Sequence, residues 1–307
     1  MRDNNDIAEQ RAGPVMSSVN LNAYFERIGF AGSIAPNYAT LEQLAALHPA
    51  TIPFENLDPL LGRPVRLEPK ALERKMLAEG RGGYGFEHAL LLADILADLD
   101  FGVRLVGARV LLGEDPPSGV SHLALLVDVS ATTYLVDVGF GRHTPTGPLR
   151  LRDGVEQDTP HGRYRLSQAD DVWRLAMETA PDAWTDLYEF TAQTLSRELI
   201  EAANAEMAGS ESSPFTRELR VALSPPGERL ALHDARFVRH VLDGESEPER
   251  RVLADVAELK SLLSERFGLS VPGDGDAEAR LAGLILAPET PAEPAAEISD
   301  ESPADPS

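Results

Sequence analysis

Arg81-Gly82-Gly83-Tyr84-Gly85-Phe86-Glu87-His88 is the stretch on which the reading of this chain turns. Its two adjacent glycines mark a turn, and the residues after it are apolar at Leu90-Leu91-Leu92, Ile95, Leu96 and Leu99, with Gly102 just beyond. That pattern predicts a helix running from Gly85 or Phe86 to Leu99, entered from a glycine turn. The glycine spacing matches neither common nucleotide-binding loop, so Gly82 and Gly83 read as a backbone demand rather than a phosphate cradle. Two further motifs lie downstream, Ser121-His122-Leu123 and Val136-Asp137-Val138-Gly139-Phe140-Gly141.

Both downstream motifs sit in text of strand character. Residues 103–112, 123–129 and 133–138 are short, apolar or β-branched, and separated by turn-forming residues. If 123–129 and 133–138 form a hairpin turning on Val129-Ser130, residues whose numbers sum to 259 lie opposite, and His122 faces Asp137. A slip of two residues leaves them diagonal neighbours on one face, and a slip of one separates them. Side by side, Asp137 can hold one imidazole nitrogen and raise the basicity of the other. The alternative is a strand-end histidine and an unrelated turn aspartate before Gly139.

Taken together, these motifs resemble the arylamine N-acetyltransferase family, including the amide synthases that close ansamycin macrolactams. Ile52-Pro53-Phe54-Glu55-Asn56-Leu57 and Gly139-Phe140-Gly141 add to the resemblance. It implies an α+β fold of helical bundle, β-barrel and α/β lid, and a Cys-His-Asp triad whose Cys carries the acyl group. His122 and Asp137 match two members of that triad. Gly85 stands at the position of the third, and the chain contains no Cys at all. The resemblance also implies a buried structural pair of Arg81 and Glu87, and a backbone passing close to the site at Gly139 and Gly141. Phe54, Tyr84, Phe86 and Phe140 either line a substrate pocket or belong to the core. His88 reads as a second acid/base group or a polar residue on the helix, and the second reading is preferred.

The departures from the family pattern extend beyond Gly85. Ala89 replaces the motif's usual Asn, and the downstream family stretch with an aromatic pair and a Ser-Thr appears as Asn204-Ala205-Glu206-Met207-Ala208-Gly209. A Cys→Gly change made in the laboratory would leave those positions untouched, so natural divergence is favoured over an engineered variant.

The chain has 307 residues and a formal charge of −22. That balance excludes a phosphate-tracking nucleic-acid binder, which needs clustered Lys and Arg. It also works against long-range attraction of an anionic acyl donor such as a coenzyme A thioester. No apolar run approaches the ~20 residues that span a bilayer, and no secretory segment opens the sequence, so a cytoplasmic location is expected. The remaining histidines have no metal-cage spacing, and no metal or certain cofactor is expected.

The text divides into a disordered extension over 1–15, a helical part over 16–100, a barrel over 101–190, a lid over 191–272 and an acidic Pro/Ala-rich tail over 273–307. From Val271 onward nine acidic residues stand against Arg280 alone. Helices are expected over 21–28, from a capping box at Thr40 to Pro49, over 69–79, 195–207 and 248–267, with a short one over 277–286. Two functions follow. In one, a His122–Asp137 dyad works as acid and base, without a covalent intermediate, on a small aromatic, acylated or polyketide-like substrate in secondary metabolism, with a carrier protein as a conceivable acyl source. In the other, the protein is a pseudoenzyme that binds a ligand or partner.

Overall fold

The structure, a computed structural model, describes residues 19–113, 116–242, 244–271 and 275–285. The proposed N-terminal extension and most of the acidic tail lie outside them. α1 (Leu21–Ile28) starts on Asn20, whose side chain accepts from the Ala23 N–H, and stops at Gly29 in the left-handed region. α2 (Tyr38–Thr51) starts one turn earlier than the sequence pattern indicates, because Asn37 rather than Thr40 is its cap. Pro49 is accommodated in its last turn instead of ending it. Leu41, Leu44, Ala45 and His48 form its buried stripe, so the histidine occupies a core position.

A two-residue strand β1 (Phe54–Glu55) and a single turn α3 (Leu57–Leu60) lead to α4 (Pro69–Leu72). The expected 69–79 helix is not uniform: after α4 it widens into a π-helical segment over Glu73–Ala78. α5 (Gly85–Asp98) follows, with Gly85 to Ala93 buried without a break. A helix covered on all sides is the reason its text is apolar almost throughout.

Eight strands form one antiparallel sheet, consistent with the barrel of an α+β fold. They are β2 (Gly102–Val110), β3 (His122–Val129), β4 (Thr132–Val136), β5 (Leu149–Arg150), β6 (Glu156–Thr159), β7 (Gly162–Ala169), β8 (Val172–Ala180) and β9 (Ala183–Thr194). Their order is β5-β4-β3-β2-β9-β8-β7-β6. The long β9 had no counterpart in the sequence reading, since Glu189, Thr191 and Gln193 interrupt its apolar text. β3 is buried on both faces. Leu123, Leu125 and Val127 pack with α5 and the helices, while Ala124 and Leu126 enter the core inside the sheet.

After α6 (Arg197–Gly209) and the single turn α7 (Pro214–Arg217), the chain builds a second sheet from β10 (Arg220–Leu223), β11 (Glu228–His233), β12 (Arg236–Val241) and β13 (Glu249–Val252). β1 joins its edge, and α8 (Val256–Phe267) and α9 (Gly275–Ile285) cover it. The helix expected over 248–267 therefore begins only at Val256, because β13 takes up its first residues. Phe54 of β1 pairs with Ala222 and also bridges to Gly83. The glycine turn before α5 is thus held at the junction of the helices and the second sheet.

Candidate active site

The β3–β4 register corrects the sequence reading by two residues. Leu125 pairs with Val136 and Val129 with Thr132, so partners sum to 261 and the turn is Ser130-Ala131, with Ser130 at φ 55°. His122 and Asp137 are not directly opposite. They are diagonal neighbours on the face of Ala124 and Leu135, where a histidine and an aspartate can still meet. Their side chains do so: Nε2 of His122 lies 2.7 Å from Oδ2 of Asp137, and Oδ1 accepts the Gly139 N–H at 2.9 Å. Asp137 is 1% exposed and His122 4%.

The other imidazole nitrogen points at Gly85. A Cβ placed on Gly85 would lie 2.8 Å from Nδ1 and 3.2 Å from Cε1 of His122, and 3.1 Å from the Gly139 carbonyl oxygen. The ring has therefore closed into space that a side chain at position 85 would occupy. Gly139 is needed for the same close approach, since its Cβ would meet the Gly85 Cα at 3.1 Å and the His88 Cβ at 2.9 Å. Nδ1 has no hydrogen-bond partner among the described residues.

Phe140 and Tyr188 enclose the imidazole, with ring centroids 5.0 and 5.3 Å away. Tyr188 from β9 was not foreseen. It is fully buried, its hydroxyl lies near Asp137, and burial followed by the charge of that carboxylate pushes its phenol well up. Only the unrecognised strand β9 could have pointed to it.

Beneath the glycine turn, two cations meet three carboxylates. Arg81 binds Glu55 at 2.8 Å and Asp58 at 2.7 Å, while Lys75 binds Glu87 at 2.8 Å and Asp58 at 2.7 Å. The expected Arg81–Glu87 pair is thus not a direct contact. Lys75, from the π-helical segment, takes Glu87, and Glu55 and Asp58 take Arg81. For Lys75 burial opposes the charge, but Glu87, Glu55 and Asp58 outweigh it and raise the ammonium. Glu87 also accepts the Tyr84 N–H at 3.0 Å, which fixes the start of α5.

His88 is not a surface residue of α5. It is fully buried, and its Nδ1 lies 2.8 Å from Nε2 of His48, whose Nδ1 lies 2.9 Å from the Tyr24 hydroxyl. Its own Nε2 meets the Pro53 carbonyl at 3.2 Å. A carbonyl can only accept, so His88 carries its proton on Nε2 and accepts on Nδ1. His48 must then donate from Nε2, and Tyr24 donates to His48. Burial pushes His88 down to about 4 and His48 well below its usual value, which keeps both rings neutral.

The aromatic candidates separate. Tyr84 and Phe86 stack at 5.3 Å and are buried, and the Tyr84 hydroxyl donates to Asn204 of α6, so both serve packing. Phe54 and Phe140 are only partly buried; Phe54 stacks on His88 and Phe140 lies against His122. Gly141, at φ 68°, passes the Phe54 ring at 3.7 Å from its would-be Cβ. Among the described residues no group of His, Asp and Glu is placed to hold a metal ion, and no helix is long and apolar enough to cross a membrane.

The N-acetyltransferase family model matches residues 37–275. An arylamine N-acetyltransferase of Mycobacterium tuberculosis is 40% identical over 265 residues, covering 84% of this chain and 92% of the relative. This chain belongs to the arylamine N-acetyltransferase family. The family member of Escherichia coli is 38% identical over 253 residues, covering 82% and 89% of the two chains. The solved structure of the M. tuberculosis enzyme aligns with TM-score 0.80 over 86% of this chain and all of that one. That of the Mycobacterium marinum enzyme in complex with CoA aligns at 0.81 with 34% identity, over 86% and 99%. The α+β fold expected from the arylamine N-acetyltransferase motifs is the one observed.

Proposed function

We propose that this protein is an arylamine N-acetyltransferase relative that works without the family's nucleophile, using His122 and Asp137 as a thiol-independent acid/base dyad. The observation that carries the reading is the division of the imidazole. Its Nε2 is held by Asp137, and its free Nδ1 faces Gly85. With Nε2 protonated, Nδ1 can take a proton from an attacking amine, hydroxyl or water. Asp137 stabilises the imidazolium that results, and the proton is then returned to the leaving group. In the first turn of α5 the Glu87 and His88 N–H groups donate to the Tyr84 carbonyl, which leaves those of Gly85 and Phe86 to suit a developing oxyanion. Such a device supplies about 10²–10⁴-fold, enough for cyclisation, dehydration, hydrolysis or direct amide formation on an already reactive molecule.

The substrate class follows from the family and the aromatic surroundings: small aromatic, acylated or polyketide-derived molecules of secondary metabolism, handled in the cytoplasm. No side chain here can hold an acyl group as a thioester. A coenzyme A or carrier-protein thioester would therefore serve as a substrate attacked directly by the acceptor, with sequential rather than ping-pong kinetics. Steady-state kinetics with acetyl-coenzyme A and an arylamine, together with intact-protein mass spectrometry, test this. Ping-pong kinetics with a stable acetyl adduct on Ser121 or Tyr84 would overturn it. The closure of His122 into the space at Gly85 favours a second reading, a ligand-binding pseudoenzyme, in which His122→Ala has no turnover to remove and alters affinity instead.

A further inference from the structure

We infer that His122 is also a nucleophile, and that the protein hydrolyses activated acyl esters through an N-acylimidazole on Nδ1. The inference rests on the dyad reading and extends it to a second class of substrate. Position 85 carries no side chain, and Nδ1 reaches to 2.8 Å from where its Cβ would stand. The reactive atom closest to the missing nucleophile's place is thus an imidazole lone pair. Asp137 fixes the proton on Nε2 at 2.7 Å, which leaves that lone pair available. Phe140 and Tyr188 pack on the ring and restrain its orientation. A neutral imidazole acts as nucleophile rather than general base when the leaving group is not much more basic than itself, as an aryloxide with electron-withdrawing substituents is.

The step balances without a further reagent. The Nδ1 lone pair adds to the acyl carbon, and the bond from that carbon to the aryl oxygen breaks, so the aryloxide leaves with its electron pair. Asp137 balances the positive charge of the N-acylimidazolium. Water then adds to the acyl carbon, the carbon–nitrogen bond breaks and its pair returns to Nδ1. One proton of that water goes to solvent, and the carboxylic acid is released. Poorly activated substrates, whose leaving groups are strong bases, remain with the proton-transfer route.

The probe is 4-nitrophenyl acetate with the full-length protein, with and without added hydroxylamine. An acylimidazole predicts that hydroxylamine diverts acetate to hydroxamate while the rate of nitrophenolate release stays constant, because both products arise after the rate-limiting acylation. Behind a rate-limiting acylation the acyl group does not accumulate, so the residue is read from the hydroxamate itself, whose formation His122→Ala should reduce to that of the uncatalysed reaction. Asp137→Asn, which keeps the imidazole but removes the carboxylate charge that holds the proton on Nε2, should slow release at least tenfold. His233→Ala is the control, since His233 pairs with Glu218 at 3.0 Å on the surface and should not contribute. If nitrophenolate release rises in proportion to hydroxylamine yet still requires His122, the nucleophilic role fails and the general-base role stands. If His122→Ala hydrolyses the ester at the wild-type rate, both fail.

Discussion

Two buried histidine sites meet the first turn of α5, one at His88 and one where His122 faces Gly85, and they behave in opposite ways. In the Tyr24–His48–His88 chain every ring nitrogen has a partner, and the last proton ends on a backbone carbonyl. At His122 only one nitrogen is held, and the other faces a glycine. Complete satisfaction makes a histidine structural, because any change of protonation breaks a hydrogen bond. A single unpaired nitrogen held in place by a carboxylate is what proton transfer needs. Burial alone does not separate the two, since all three rings are buried.

The comparison breaks most visibly in activity. His122→Ala should lower turnover by about 10²–10⁴-fold, and Asp137→Asn by a similar factor, with affinity kept within roughly tenfold. Steady-state kinetics on a converted substrate measure both, and full activity in His122→Ala would show that the wrong site has been chosen. His88→Leu should leave the dyad's chemistry intact in the folded fraction.

The next largest effect is on stability against acid. His88 is held at about 4 in the folded protein against 6.5 when exposed. The unfolded chain therefore binds the extra proton first as pH falls. The contribution is full above about 6.5, declines as pH falls towards 4, and amounts to about 3 kcal/mol. Denaturant midpoints between pH 7 and 4 in wild type and His88→Leu would show it, the variant having the shallower pH dependence from this group. At neutral pH His88→Leu itself should cost about 2 kcal/mol, because the His48 Nε2–H and the Pro53 carbonyl each lose a partner.

Gly85→Cys gives the smallest expected change and sharpens the comparison at its centre. Its Cβ cannot sit 2.8 Å from Nδ1, so the imidazole must withdraw, at about 1–2 kcal/mol. The thiol would then lie beside His122 with a depressed pKa and alkylate quickly near neutral pH. The reactivity of an ordinary thiol would show that the ring does not return to a triad geometry.

The sequence was legible where local chemistry decides structure. The glycine turn entering α5, the apolar text of β3 and β4, and the fold implied by the motif order all lie in residues that are contiguous or strongly patterned. The pairing of His122 with Asp137 was also within reach, because strand alternation keeps them on one face even after a slip of two. The exact register, the strand β9 with Tyr188, and the transfer of Glu87 from Arg81 to Lys75 were not. The register turned on a local choice between Val129-Ser130 and Ser130-Ala131 as the turn, and the other two depend on contacts that no local pattern encodes.

By itself, then, the sequence determined the fold, the absence of any thiol and the candidate dyad. Tertiary structure alone decided which histidine is poised and which is tied down. His88 and His122 are the same chemical group in apolar text. Only the arrival of Pro53 and His48 around one, and of Gly85 beside the other, sets whether each ring nitrogen is bound or free. That arrangement is fixed by how α2, β1 and α5 pack on the barrel, and hydrogen-bond partners at such separations exist only once the chain has folded.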